Sequence, residues 1–186
     1  NTSTLENSVN FIHENEKMFF GFNASAYETL NENYNDKYEY ILPEITINKN
    51  LLSDGKIGNL DLQSNYKVNK YDTNKLTNFL VNDFYWNQRD INYANGFKGK
   101  FLGNVKNINY ETKNVDLYKN DTTNELYGAI GYLAEVDLQK NNRGSNHNLT
   151  PKMLIRYSPG QMRKEINGSK LNPINAFSID RLNNIK

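Results

Sequence analysis

Cysteine is absent from this sequence of 186 residues, and so are long apolar runs. Without cysteine the chain can form neither a disulfide framework nor a thiolate metal site. A membrane helix needs roughly 20 consecutive apolar residues, and no segment approaches that length, so a helical membrane protein is excluded. The formal net charge of +1 gives no basic field that would attract nucleic acid, and we expect no nucleic-acid partner.

Histidine is nearly as scarce, since the chain holds only His13 and His147. The two lie far apart in polar segments, and neither has the convergent partners that a metal centre or a catalytic triad requires. We therefore predict no catalytic residue, no bound metal, no cofactor and no enzymatic activity.

Aromatic residues, by contrast, are abundant for so polar a chain. There are 13 tyrosines and 9 phenylalanines, although the mean hydropathy is -0.81. Tyrosine in this abundance suits β-strands and wet interfaces better than helices.

The clearest pattern is a two-residue alternation over 125–140. Its odd positions carry the charged and amide side chains of Glu125, Glu135, Asp137 and Gln139, whereas its even positions are mostly apolar. An extended strand sorts side chains in this way and a helix does not. The segment exceeds the roughly 9 to 11 residues with which a β-strand crosses a bilayer.

Similar alternation occurs along the rest of the chain. The segments are 18–29, 38–47, 60–68, 74–88, 97–105 and 149–157. We predict six strands and one or two more, with a loop or partial strand at 1–17, a polar loop or strand extension at 111–124 and a loop at 141–148. Turns are predicted at 31–36, 54–55, 70–73 and 95–96 from their Asn, Asp and Gly residues. Consecutive strands joined by short turns are antiparallel neighbours in a meander.

The alternation changes phase at Pro43. Tyr40 and Leu42 occupy even positions before the proline, whereas Ile45 and Ile47 occupy odd positions after it. A bulge would keep both apolar sets on one face, because it adds one residue to the strand. Alternatively, the strand leaves the membrane near Pro43 and the later alternation lies in solvent.

A sheet of this width must pack against a second layer or close on itself, and no helical pattern supplies a second layer. We therefore predict an all-β fold, an antiparallel up-and-down meander that is part of a large transmembrane β-barrel. On this interpretation residues 1–186 form one segment of the barrel domain, incomplete at both ends. The side chains of the 125–140 strand that we expect to meet lipid are Leu126, Ile130, Tyr132, Val136 and Leu138.

The polar face would then line the lumen of the barrel. The lumen-facing candidates are Asp61, Gln63, Lys98, Lys100, Lys106, Glu135, Asp137, Lys152 and Arg156. The cations among them could contact lipid phosphate or a plug protein. In the alternative interpretation the charged side chains only solvate the interior.

Several segments resemble the barrel region of a known family. Near the C-terminus they are LTPKMLIRYSPGQMR at 149–163 and NAFSIDRLNNI at 175–185. Shorter similar runs are YEYILPEI at 38–45, NDFYW at 82–86 and KNINYETKNVDLYKND at 106–121. In these runs the chain resembles the LPS-assembly outer-membrane protein LptD, also called organic solvent tolerance protein, in particular its alphaproteobacterial members.

The resemblance implies a periplasmic jelly-roll domain followed by a very large barrel that delivers lipopolysaccharide to the outer leaflet of the bacterial outer membrane. It also implies lipopolysaccharide and membrane lipid as partners, with a lipoprotein plug in the lumen and periplasmic proteins that form a lipopolysaccharide bridge. In that family lipid leaves through a seam between the first and last strands, which no residue here locates. The family's disulfide cannot be placed either, because the chain has no cysteine.

Two other functions fit the same alternation. One is a different outer-membrane barrel, a porin or an uptake channel, which would conduct solutes. The other is a soluble periplasmic β-sheet protein that binds lipid or a protein partner.

Overall fold

A computed structural model describes residues 4–31, 37–72, 74–142, 144–160, 171–179 and 182, and its regular structure is almost entirely β-strand. The strands are β1 (Thr4–Asn15), β2 (Met18–Thr29), β3 (Tyr38–Asp54), β4 (Gly58–Tyr71), β5 (Lys75–Asn87), β6 (Ile91–Asn92), β7 (Phe97–Lys113), β8 (Thr123–Val136), β9 (Leu138–Asn142), β10 (Ser145–Leu149) and β11 (Lys152–Tyr157). A short 3₁₀ turn at Ala94–Gly96 leads into β7. Over the described ranges, no helix is long and apolar enough to cross a membrane.

The long strands form one antiparallel sheet in the order β1-β2-β3-β4-β5-β7-β8-β11. The two-residue β6 pairs with β7, while β9 and β10 form a separate hairpin between β8 and β11. The structure thus confirms an all-β antiparallel up-and-down meander. Within the described residues β1 and β11 are the two edges of the sheet, so closure into a barrel stays a prediction, as does a larger barrel domain around it.

Strands also lie at 1–17, where the sequence predicted a loop or partial strand, and around 141–148, where it predicted a loop. The first is β1, which pairs with β2 from Thr4 opposite Thr29 to Asn15 opposite Met18. The second is the β9–β10 hairpin, which includes the predicted loop at 141–148 and extends beyond it to Leu138 and Leu149. All side chains of these strands are exposed, so burial imposes no alternating pattern on their sequences.

The strand predicted at 125–140 is shorter in the structure than the alternating segment of the sequence. β8 ends at Val136, and Leu138 and Gln139 belong to β9 in the separate hairpin. The prediction that these two side chains continue the faces of β8 is therefore wrong, because the chain leaves the sheet at Asp137. Of the other predicted features, residues 32–36 of the first turn, Thr73 and Arg143 lie outside the described residues.

The phase change at Pro43 is a β-bulge. Ile41 pairs with Asn69 and Glu44 pairs with Lys67, so three steps along β3 match two steps along β4. The ladder with β2 shifts by the same one residue. The structure confirms the predicted interruption of the ladder, and the bulge keeps the apolar side chains before and after Pro43 on one side.

The register divides the sheet into two faces, because directly opposed residues of an antiparallel ladder point to the same side. One, which we call the apolar face, is rich in exposed apolar side chains. On β7, β8 and β11 these are Phe97, Phe101, Val105, Leu126, Ile130, Met153, Ile155 and Tyr157. We call the opposite side the mixed face, since it carries both charged and buried apolar residues.

The buried core lies on the mixed face, which the sequence pattern marked as polar. Its members from the sheet are Val81, Leu102, Ile108, Tyr110, Tyr127 and Ala129. Ile179 and Leu182 of the C-terminal segment pack against them. The connection between β7 and β8 adds Tyr118, whose ring centroid lies 5.0 Å from that of Phe79. Segments that leave the sheet therefore fold back over this face and exclude water from it.

Two isoleucines on neighbouring strands test where the core lies. Ile108 is fully buried on the mixed face, whereas Ile130 is 49% exposed on the apolar face. We expect Ile108→Ala to lower the free energy of unfolding by about 2 to 5 kcal/mol, because it leaves a cavity. Ile130→Ala removes the same atoms without a cavity and should cost much less. Denaturant titration measures both losses, and equal losses would contradict the assignment of the core to the mixed face.

Candidate functional site

Charged side chains of β7, β8 and β11 form a row of ion pairs on the mixed face. Lys98, Glu135 and Lys152 are cross-strand neighbours in register. The Nζ atom of Lys152 lies 2.9 Å from Glu135 Oε2, and that of Lys98 lies 2.6 Å from Asp137 Oδ2. These side chains are partly exposed, so solvent screens both pairs and each contributes little to stability.

Asp137 ties the β9–β10 hairpin to the main sheet. Its carboxylate accepts hydrogen bonds from Lys98 and from the Thr150 hydroxyl, the latter at 3.0 Å. The hydrogen bond from Lys98 lowers the pKa of Asp137 most, and the bond from Thr150 lowers it further. Asp137 therefore remains a carboxylate at the point where the chain leaves β8.

The Lys106–Asp83 pair is buried. The two residues face each other across β7 and β5, and Lys106 Nζ lies 3.2 Å from Asp83 Oδ2. Each side chain is only 6% exposed. Two buried charges are tolerated because each compensates for the desolvation of the other. Sequence reasoning found Lys106 but missed Asp83, since β5 is apolar on both faces and the aspartate interrupts no clear pattern.

Every lysine among the predicted lumen residues has a carboxylate partner. Besides the pairs above, Lys100 Nζ lies 3.4 Å from Asp90 Oδ1. A cation already neutralised at this distance is a poor receptor for a second anion such as lipid phosphate. The geometry favours the interpretation in which these charges are structural over the one in which they bind phosphate.

Arg156 holds the C-terminal segment against the sheet. Its Nε donates a hydrogen bond to the carbonyl oxygen of Ile179 at 3.2 Å. Gly131, its partner in register on β8, allows this close approach, because a Cβ atom added there would lie 3.0 Å from Ile179 Cδ1. Arg156 thus positions a covering segment and does not extend the row of lysine pairs.

Asp61 and Gln63 lie on the mixed face of β4, apart from the lysine pairs. They border an open groove of about 420 Å³ near the β1–β2 turn. The structure therefore places all the predicted lumen residues of the sheet strands on one face. It divides them among the paired lysines and Glu135, the buried Lys106, Arg156 against the C-terminal segment, and the groove. That this face lines a lumen stays a prediction.

A metal centre finds no support in the part of the chain that the structure describes. No group of three or more His, Asp or Glu side chains there could hold an ion. His13 lies on the edge strand β1, and His147 lies in the β9–β10 hairpin within 3.2 Å of the Ser145 hydroxyl.

The apolar face carries a band that crosses the strands obliquely. On β2 the apolar side chains run from Met18 to Ala26, with Phe22 at the centre. Register connects Phe22 through Ile45, Tyr66, Leu80 and Asn109 to Asn124 on β8. Asn124, however, lies beyond the apolar run of β8, which centres near Ile130, six residues further along the strand.

This displacement defines an angle. Six residues along a strand cover about 20 Å, and the five steps from β2 to β8 cover about 24 Å. The band therefore makes an angle of about 40° with the rows of directly opposed residues. Beyond the band, the apolar face carries the amide side chains of Asn78 on β5 and of Asn107 and Asn109 on β7.

The fold and its two faces define an all-β antiparallel meander with an exposed apolar band on one side and a partly covered, ion-paired surface on the other. No protein-family model matches the chain, and no curated protein matches it.

The buried ion pair yields a prediction with an internal control. Lys106→Met should lower the free energy of unfolding by about 3 to 5 kcal/mol, because it leaves the Asp83 charge buried without its cation. The double variant Lys106→Met/Asp83→Leu removes both charges and should recover most of that loss. Denaturant titration measures each, and a double variant as unstable as the single one would contradict a coupled pair.

Proposed function

We propose that this sheet is a membrane-embedded segment of an outer-membrane β-barrel, with the apolar face against lipid and the mixed face toward the interior. The observation that carries the proposal is the oblique apolar band. Strands of outer-membrane barrels are tilted by about 35 to 45° from the membrane normal. The lipid-contacting belt must therefore make the same angle with the rows of directly opposed residues, which run perpendicular to the strands. In this sheet the apolar band makes an angle of about 40° with those rows, as calculated from strand geometry.

The length of the band agrees with this proposal. On β8 the apolar-face residues run from Leu126 to Val136, a span of eleven residues. A transmembrane β-strand tilted by about 45° needs roughly 9 to 11 residues to cross the hydrocarbon core. The same strand is twice the length of an ordinary strand in a globular sheet.

The covering segments also argue for lipid on the apolar face. In a soluble sandwich the second layer would pack on the side with the most exposed apolar surface. Among the described residues, Ile179, Leu182 and Tyr118 pack instead on the mixed face. Ile130 is left 49% exposed and Ile155 60% exposed. A continuous belt of exposed apolar residues marks a surface that contacts an apolar environment.

The specific activity that we propose is transport and assembly of lipopolysaccharide at the cell surface, with a plug lipoprotein and periplasmic bridge proteins as partners. The resemblance in 149–163 and 175–185 is its basis. The mixed face argues against a solute channel, because the core fills it over β5, β7 and β8 and leaves no open space there. The described part of the second run, which includes Ile179, contributes to that filling.

Ile130 offers a test of lipid contact at a single site. Ile130→Arg should impair assembly into the outer membrane, because an arginine at mid-membrane on the lipid face costs about 2 to 4 kcal/mol. Ile130→Thr keeps the β-branched shape and is the matched control. Gly131 is unsuitable for comparison, because any side chain there meets Ile179. The measurement is the fraction of folded protein in the outer-membrane fraction. If Arg and Thr give the same yield, Ile130 does not face lipid.

Depletion of the full-length protein in its own cells distinguishes the proposed activities. For lipopolysaccharide transport we expect less lipopolysaccharide at the cell surface, measured by surface labelling, and recovery when the Ile130→Thr form is supplied. A porin or uptake channel would instead lower solute entry and leave surface lipopolysaccharide unchanged. Recovery of the protein in the soluble periplasmic fraction would contradict both barrel functions.

A further inference from the structure

The groove on the mixed face has a floor of amide and carboxylate groups. Asn48 and Gln63 oppose each other across β3 and β4, and in the next row Asn50 opposes Asp61. Asn50 Nδ2 donates to Asp61 Oδ1 at 2.7 Å, which fixes the second row. Among the described residues, the side-chain amides of Asn48 and Gln63 have no hydrogen-bond partner, and both side chains are exposed.

Aromatic rings flank this floor on both sides. Phe19 of β2 opposes Asn48, and Tyr85 of β5 opposes Asp61. The two residues lie three strand steps and one row apart, so their backbones are about 16 Å from each other. The groove volume of about 420 Å³ lies in the range of small-molecule sites. In contrast to the mixed face of β7 and β8, no described segment covers this part of the sheet.

The geometry points to a binding site for a neutral saccharide. Each amide offers both a donor and an acceptor, as a sugar hydroxyl does, so the free Asn48 and Gln63 groups match vicinal hydroxyls. The negative faces of Phe19 and Tyr85 suit the weakly positive C–H faces of pyranose rings. The spacing of the two rings suits a short oligosaccharide that lies across β3 and β4.

The charges of the groove exclude an anionic ligand. Asp61 is exposed in the floor, and a phosphate or sulfate that bound between the amides would lie beside its carboxylate. Lys17 and Glu16 line the rim, whereas Lys49 opposes Leu62 in register and therefore directs its side chain to the apolar face. The cations of the groove thus do not exceed its acids. The site does not depend on lipid contact, because it lies on the face opposite the apolar band.

An array of neutral oligosaccharides tests the proposal. The full-length protein is applied in lauryldimethylamine oxide, a detergent without a sugar headgroup, and phosphorylated and sulfated glycans on the same array serve as charged comparisons. We expect binding to neutral glycans. Gln63→Ala and Asn48→Ala should each weaken it about five- to tenfold, as expected for the loss of a hydrogen bond to an uncharged group.

Lys70→Ala, on the opposite face of β4, is the matched control and should leave binding unchanged. Both amide positions are exposed, so the variants should keep the wild-type circular dichroism spectrum. The proposal is overturned if no neutral glycan binds, if charged glycans bind more tightly, or if Gln63→Ala and Asn48→Ala bind as well as the wild type.

Discussion

The extra residue in β3 at Leu42–Pro43 is the constraint on which the two-faced sheet depends. Side chains of a strand alternate with a period of two, so a slip of one residue moves every side chain to the other face. Without the bulge, either Tyr40 and Leu42 or Ile45 and Ile47 would point to the mixed face. The bulge shifts both ladders of β3 together, and the apolar face thus remains continuous from β2 through β4.

The mixed face shows why a polar pattern does not imply a water-filled space. Over β5, β7 and β8 its alternate positions hold Val81, Ile108 and Tyr127, which pack with the C-terminal segment, and the buried Lys106–Asp83 pair lies among them. Over β3 and β4 the same face is open and lined by amides. One sheet surface is therefore a packed core at one end and an open groove at the other, because the covering segments that the structure describes are the β7–β8 connection and the segment after β11.

The proposed lipid contact and the proposed saccharide site would give the two faces different partners. Burial of the band against lipid would remove a large exposed apolar surface from water, which is the main favourable term for such a sheet. The groove, in contrast, contains free hydrogen-bonding groups whose favourable environment is water or a polyhydroxyl ligand. A sheet can carry an apolar band on one face and a polar groove on the other, because the hydrogen bonds between its strands satisfy the backbone without help from either face.

The sequence by itself determined most of the strands, their order as a meander, the change of phase at Pro43 and the sharing of one face by Leu126, Ile130 and Tyr132, whereas the register decided that the change of phase is a bulge. These features are local, since alternation, turn residues and a change of phase are read within a few neighbouring residues. The exposed strands β1, β9 and β10 were predicted only in part for the same reason: their side chains are exposed, so burial imposes no alternating pattern that could be read locally.

Only the tertiary structure decided which face holds the core, that Lys106 pairs with Asp83, that Arg156 holds Ile179, and that the apolar band lies oblique to the strands. Each of these depends on the register between residues far apart in the chain. Register is the sum of turn lengths and bulges over several strands, and no single segment contains it. The candidate groove belongs to this second group, because Asp61 and Gln63 were visible in the sequence whereas Asn48, Phe19 and Tyr85 join them only across three ladders.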